Sequence, residues 1–211
     1  MSNGRRPEEI EAESFRIIEK EIGNHQWAAA EWQVVRRAIH TTADLDYART
    51  MVISQDAVMC GMEAIRRGRG IVADTTMAVA GISKPRLYRF GCSAVCFVAD
   101  PEVARQAKAQ GTTRAIPALR MGAADSGNGI FLIGNSPTAL FELLRLIKEE
   151  GLRPDLIVAL PVGFVDAAES KEQLISEATK LHMPFIANRG RKGGSNVAAA
   201  VINALLIMAG N

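Results

Sequence analysis

The stretch Gly129-Ile130-Phe131-Leu132-Ile133-Gly134-Asn135-Ser136-Pro137-Thr138-Ala139-Leu140 reads as a buried strand that runs directly into a helix. An unbroken apolar run leaves no side for water, so a strand of this kind is covered on both faces. Pro137 has a fixed φ that suits the first position of a helix, and the pattern from there to Glu150 is helical. The same alternation recurs on either side. Short apolar runs at Gly70 to Asp74, Ala94 to Ala99, Asp155 to Leu160 and Pro184 to Asn188 are further strands. Helices are expected near Glu102 to Gln110, Ala167 to Leu181 and Asn196 to Ala209. Apolar strands separated by helices predict an α/β fold: a three-layer sandwich with a mainly parallel sheet of about five strands.

Before Gly68 the pattern is helical throughout. Pro7 to Ile22 is a first helix, with Pro near its start and Gly23 as its stop. Ala28 to His40 is a second, and Leu45 to Met51 and Gln55 to Arg67 read as helical too. The expectation is a helical N-terminal part with no sheet of its own. The 211 residues suit one domain over 1–211, with no repeat or linker in view. Hydrophobic residues make up 48% and charged residues 23%, the balance of a globular chain. A net charge of +2 supplies no bulk field for nucleic acid or an anionic membrane, so anion binding has to come from local arginines. Cys60, Cys92 and Cys96 match no metal-ligand spacing and read as reduced thiols. The start, Met1-Ser2-Asn3-Gly4-Arg5-Arg6-Pro7, holds no apolar signal core, and the apolar run Val197 to Ala209 is interrupted by Asn203 and too short to span a bilayer. A cytoplasmic protein is expected.

In a parallel sheet, ligands bind beyond the carboxyl ends of the strands. Those ends carry Asp74-Thr75-Thr76, Gly134-Asn135-Ser136-Pro137-Thr138, Pro161-Val162-Gly163-Phe164-Val165 and Arg189-Gly190-Arg191-Lys192-Gly193-Gly194-Ser195. The last is the strongest binding signal. Glycines let a backbone approach a ligand, Arg189, Arg191 and Lys192 are cations, and Ser195 is placed to cap the final helix. The order of glycines and lysine is not that of a phosphate loop, and no Gly-x-Gly-x-x-Gly follows the first strand, so a ligand bearing carboxylates fits at least as well as a nucleotide. Arg114, after Thr112-Thr113, offers one more cation. Asp74 either caps the turn that follows or holds a substrate nitrogen.

Two residues of the helical part stand out. His40 ends the stripe Ala28, Trp32, Val35, Ile39, at the negative end of a helix dipole, where a cationic imidazole is favoured. It is a candidate proton donor, or a cap for the last carbonyls. Ser14 falls four from Ile10 and from Ile18 on an apolar stripe, where its hydroxyl either bonds back to its own helix or faces a ligand. No Ser-His-Asp or Cys-His set can be assigned from sequence order, and no metal-ligand cluster is seen.

Four motifs, in order, resemble the precorrin-8X methylmutase (precorrin isomerase) family of corrin-ring biosynthesis. They are Ala38-Ile39-His40-Thr41-Thr42-Ala43-Asp44; Gly134-Asn135-Ser136-Pro137-Thr138-Ala139-Leu140; Pro161-Val162-Gly163-Phe164-Val165 with Glu169-Ser170-Lys171; and Gly190-Arg191-Lys192-Gly193-Gly194-Ser195. The resemblance implies an isomerase that moves a methyl group from C11 to C12 of (cobalt-)precorrin-8 to give (cobalt-)hydrogenobyrinate or cobyrinate in cobalamin biosynthesis. Substrate and product are isomers, so no cofactor is implied. The family's proton-handling histidine falls on His40, its substrate-contacting serine on Ser14 and its arginine on Arg114. Thr41, Asp74, Arg189, Arg191, Lys192 and Ser195 join these as substrate-binding candidates. The Thr41-Thr42-Ala43-Asp44 tail is similar to the cobalt-handling branch. The family is dimeric, so a homodimer with a corrinoid ligand and no nucleic acid or membrane partner is implied. The competing reading is a corrinoid carrier that binds the product without turning it over.

Overall fold

The computed structural model describes Gly4 and residues 6–210. Met1 to Asn3 and Arg5, part of the stretch expected to hold no signal core, lie outside the described residues, as does Asn211. The chain opens with α1 (Pro7–Ile22), α2 (Ala29–Thr42), the one-turn α3 (Tyr47–Thr50), β1 (Met51–Ile53) and α4 (Ala57–Arg66). Then come β2 (Gly70–Ala73), α5 (Thr76–Gly81), α6 (Lys84–Arg89), β3 (Ala94–Val95), α7 (Pro101–Gln110) and α8 (Ala115–Ala123). The remainder is β4 (Asn128–Ile133), α9 (Pro137–Glu149), β5 (Leu156–Ala159), α10 (Ala167–Lys180), β6 (Phe185–Asn188) and α11 (Ser195–Ala209).

Six strands form one sheet in the order β1-β6-β5-β4-β2-β3. All neighbours are parallel except β1, which runs antiparallel to β6 with Met51 opposite Asn188. The unbroken apolar run of β4 is explained by the pleat. Ile130 and Leu132 point into one core with Val35 and Ile39 of α2, Ile65 of α4 and Leu205 of α11. Phe131 and Ile133 point into the other, with Leu119 of α8, Leu143 of α9 and Leu174 of α10. This is the expected three-layer α/β architecture. α11 is apolar on every side because it lies between the sheet and α2.

The departures are local. The expected helix Leu45 to Met51 shrinks to α3, and Met51 begins a sixth strand, so the helical N-terminal part does contribute to the sheet. α2 continues two residues past His40 and ends on Ala43 in the left-handed region, φ 52°. The strand expected at Ala94 to Ala99 is reduced to two residues, and α5, α6 and α8 were not anticipated. Among the described residues, no helix is long and apolar enough to cross a membrane.

Candidate active site

The carboxyl ends of the parallel strands are tied together by Asp74. It follows β2, is only 6% exposed, and its two oxygens accept three backbone amides of the loop after β4. Oδ1 accepts from Gly134 at 2.9 Å, and Oδ2 accepts from Asn135 at 2.8 Å and Ser136 at 2.6 Å. Burial pushes this carboxyl up, and the three amides pull against it. Of the two roles open to Asp74, the geometry gives it the turn: both oxygens are occupied by main chain, and it joins the loop framework rather than the ligand-facing set. Ser136 caps α9 through the Ala139 amide, and its hydroxyl meets Thr138, which meets Thr113 at 2.7 Å. Exposed Arg114 follows Thr113 at the start of α8. Ser195, expected as the cap of α11, is instead its first residue; Gly194 holds the cap position. The Ser195 hydroxyl lies 2.7 Å from that of Thr75, which also accepts the Ala78 amide at the start of α5.

The loop between β6 and α11 is pinned on several sides. The Gly194 amide donates to Leu160 O at 2.8 Å, and the Gly163 amide to Arg191 O at 3.2 Å. Arg189 pairs with Glu172. Arg191 lies over the ring of Phe164, 5.5 Å from its centroid, and that phenyl group is 86% exposed. Lys192 Nζ reaches Asp44 at 2.6 Å and Asp46 at 2.7 Å, in the turn that follows α2. The Lys192 hydrogen bond holds the Asp44 carboxyl below its usual range. Among the described residues, Arg114 and Arg191 form no ion pair, which leaves their guanidinium groups available to a carboxylate ligand.

His40 is half-buried in the last turn of α2. Phe15 of α1 meets its imidazole edge-on, with centroids 5.2 Å apart. The same phenyl ring lies under the guanidinium groups of Arg36 and Arg37, at 4.1 and 4.8 Å. Those arginines pair with Glu19 and Glu11, so α1 is fastened to α2 by two ion pairs around one aromatic ring. Beside them a groove of about 390 Å³ is lined by Ser14, Ile17, Ile18, Ile39, His40 and Leu45. Of the two readings of Ser14, the geometry shows the bond back to its own helix. Its hydroxyl donates to Ile10 O at 2.9 Å, and the residue is among those lining the groove. A larger cavity of about 810 Å³, with Trp27, Asp46 and Arg49 in its wall, adjoins through Glu21 and Leu45. Thr41 is exposed on the last turn of α2, one residue beyond His40.

The structure therefore brings Ser14 and His40 into one groove. It links that groove, through Asp44 and Lys192, to the loop carrying Arg189, Arg191 and Ser195. Arg114 lies further along the same edge of the sheet, near the β4 end. Reading the sequence alone assigned no role to Phe15, nor to Thr75, Lys171 and Asn188, although Thr75 and Asn188 lie at strand ends and Lys171 within the Glu169-Ser170-Lys171 motif. Among the described residues, no three His, Cys, Asp or Glu side chains gather as a metal site.

A sequence model of precorrin-8X methylmutases matches residues 9–208, all but the ends of the chain. The chain belongs to the precorrin-8X methylmutase family. Its relatives include a cobalt-precorrin-8 methylmutase of Priestia megaterium, 45% identical over 203 residues that span 96% of this chain and 88% of that protein. A second cobalt-precorrin-8 methylmutase, from Leptospira interrogans, is 44% identical over 94% of this chain and 92% of its own. The solved precorrin-8x methyl mutase of Thermus thermophilus superposes with a TM-score of 0.86 at 38% identity, covering 95% of this chain and 97% of that one. The family is one of methyl-migrating isomerases, so the shared fold and the near-complete coverage make this chain an isomerase of that kind.

Proposed function

We propose that this chain moves a methyl group from C11 to C12 of cobalt-bearing precorrin-8 in cobalamin biosynthesis, with His40 as proton donor and acceptor. The observation that carries the reading is the shared groove of His40 and Ser14 beside the cation-bearing loop at the strand ends. A methyl shift within a conjugated ring requires the ring's electrons to be redistributed, and a proton placed on the macrocycle by the imidazole does that. The proton returns to the imidazole after migration, so the formula is unchanged and no redox or methyl-donor cofactor is needed. Ser14 contacts the ring from the opposite wall. Arg114 and Arg191 take peripheral carboxylates, while Arg189 and Lys192 already hold protein carboxylates and shape the loop. The groove is open, and a second copy of the chain would complete the enclosure of so large a ligand. Cobalt enters as part of the substrate, a choice supported by the printed names of the relatives at 44–45% identity. Three unpaired cysteines suit a reducing cytoplasm.

The test is a catalytic amount of protein mixed with excess substrate, cobalt-bearing and cobalt-free side by side, followed by visible absorption. Multiple turnovers are expected, and His40→Asn should slow them by about 10²–10⁴-fold while ligand still binds. A spectral change that stops at one equivalent would mark a carrier. Full turnover by His40→Asn would remove the imidazole from the reaction.

A further inference from the structure

Lys171 is fully buried on α10, and its ammonium has no carboxylate bonded to it among the described residues. An ammonium buried in that state is costly, and burial draws its pKa down to about 8. A methionine would fill the same volume without that cost, but would leave the buried Asn188 Oδ1 without its donor. What the ammonium does is hold main chain. It donates to Lys192 O at 2.7 Å and to Asn188 Oδ1 at 3.0 Å. Buried Asn188 then donates through Nδ2 to the same Lys192 carbonyl at 2.8 Å and to Arg189 O at 3.2 Å. The Lys192 backbone is fixed from below, and its side chain reaches out to Asp44 and Asp46. Asp44 stands four residues past His40, beyond left-handed Ala43. Its carboxylate accepts the Asp46 amide at 3.0 Å, and its own amide donates to Thr42 Oγ1 at 3.3 Å.

We propose that Lys171 is a positioning residue for His40, fixing the Lys192 carbonyl so that the Lys192 ammonium can clamp the turn that ends the His40 helix. The inference rests on the reading of His40 as the proton-handling group. Lys171 touches no substrate in this scheme. Its effect passes through one residue, Lys192, which is held at its carbonyl by Lys171 and holds Asp44 and Asp46 with its side chain.

The experiment is a double-variant cycle on Lys171→Met and Lys192→Met, read by steady-state turnover and by proton NMR of the histidine rings. Each single variant is expected to lower kcat by about tenfold to a hundredfold with KM changed less than about threefold, the pattern of a displaced catalytic group. The double variant is expected to be no slower than the slower single, within about twofold, because both break one linkage. The His40 ring signals should move in both singles, while those of His25 and His182 stay in place. Multiplicative losses, a rise in KM at constant kcat, or unmoved His40 signals would overturn the inference. Should Lys171→Met not fold, surface Lys192→Met decides alone, since wild-type kcat and an unmoved His40 signal there break the linkage. Full turnover by His40→Asn would instead sink the underlying reading. Loss in His40→Asn beside wild-type behaviour in both lysine variants would sink only the role given to Lys171.

Discussion

Replacing Asp74 tests whether the strand ends are held together as the geometry requires. The carboxylate accepts three amides at 2.6–2.9 Å, and the Gly134 amide among them is buried. In Asp74→Asn the side-chain oxygen can replace Oδ2 and keep the amides of Asn135 and Ser136. The new NH₂ group then faces the Gly134 N–H, which loses its acceptor. One buried donor left unpaired costs about 1–3 kcal/mol. Asp74→Ala removes all three acceptors. It also relieves the burial cost that pushes the carboxyl up, and water can reach the two outer amides, so the net loss is about 3–4 kcal/mol rather than three full penalties. For a chain of this size, 1 kcal/mol lowers the melting temperature by about 2–4 °C. The expected order is therefore wild type, then Asn lower by about 2–12 °C, then Ala lower by about 6–16 °C, measured by circular dichroism at pH 7. An Asn variant that melts with the wild type, or an Ala variant more stable than Asn, would refute the three-amide account.

Gly193→Ala should cost about 1–3 kcal/mol in a urea titration, because the added methyl would overlap Leu160 O and lie 2.8 Å from Pro161 O, forcing the β6–α11 loop off the end of β5; an unchanged midpoint would show that the loop has room to spare. The burial of Lys171 sets a pH dependence with a definite sign. Its folded value of about 8 lies below the ordinary lysine value near 10.4, so between the two the unfolded chain binds the extra proton and the wild type gains stability as pH rises. Lys171→Met lacks that gain. Its stability relative to wild type should fall by about 2 kcal/mol between pH 7 and pH 9.5, and a difference that stays flat would mean that the ammonium titrates normally.

The sheet was legible because its central strands are apolar without a break, and the pleat sends alternate residues such as Phe131 and Leu132 into two separate cores. Pro137 marked the start of α9 through local chemistry that needs no tertiary information. β1 was illegible for the opposite reason: three residues at an edge carry no period, and their pairing with β6 is a tertiary fact. α5 and α6, six residues each, are too short for an apolar stripe to declare itself. In the site, His40 and the Arg189 to Ser195 loop were visible as residue types at element ends. The choice between the two roles of Asp74 was not, because its partners lie sixty residues away. Lys171 stood in the Glu169-Ser170-Lys171 motif, but its burial was hidden, since a lysine on an amphipathic helix ordinarily reads as a solvated residue.

The reversed strand explains how a histidine on the second helix reaches the carboxyl edge of the sheet at all. Because β1 runs against β6, it begins where β6 ends: Met51 pairs with Asn188, and the Arg189 amide donates to Thr50 O at 2.8 Å. The turn that precedes it, with Asp44 and Asp46, is thereby set against the β6–α11 loop, within reach of Lys192. A parallel β1 would begin at the Phe185 end instead, displacing that turn by the length of β6, roughly 10–13 Å. Lys192 could not span that gap, and His40 would face away from the strand ends where parallel sheets hold their ligands. The antiparallel edge strand is therefore part of the construction of the candidate site: it joins the helical half, which carries His40, to the sheet half, whose strand-end loops carry Arg114, Arg189, Arg191 and Lys192.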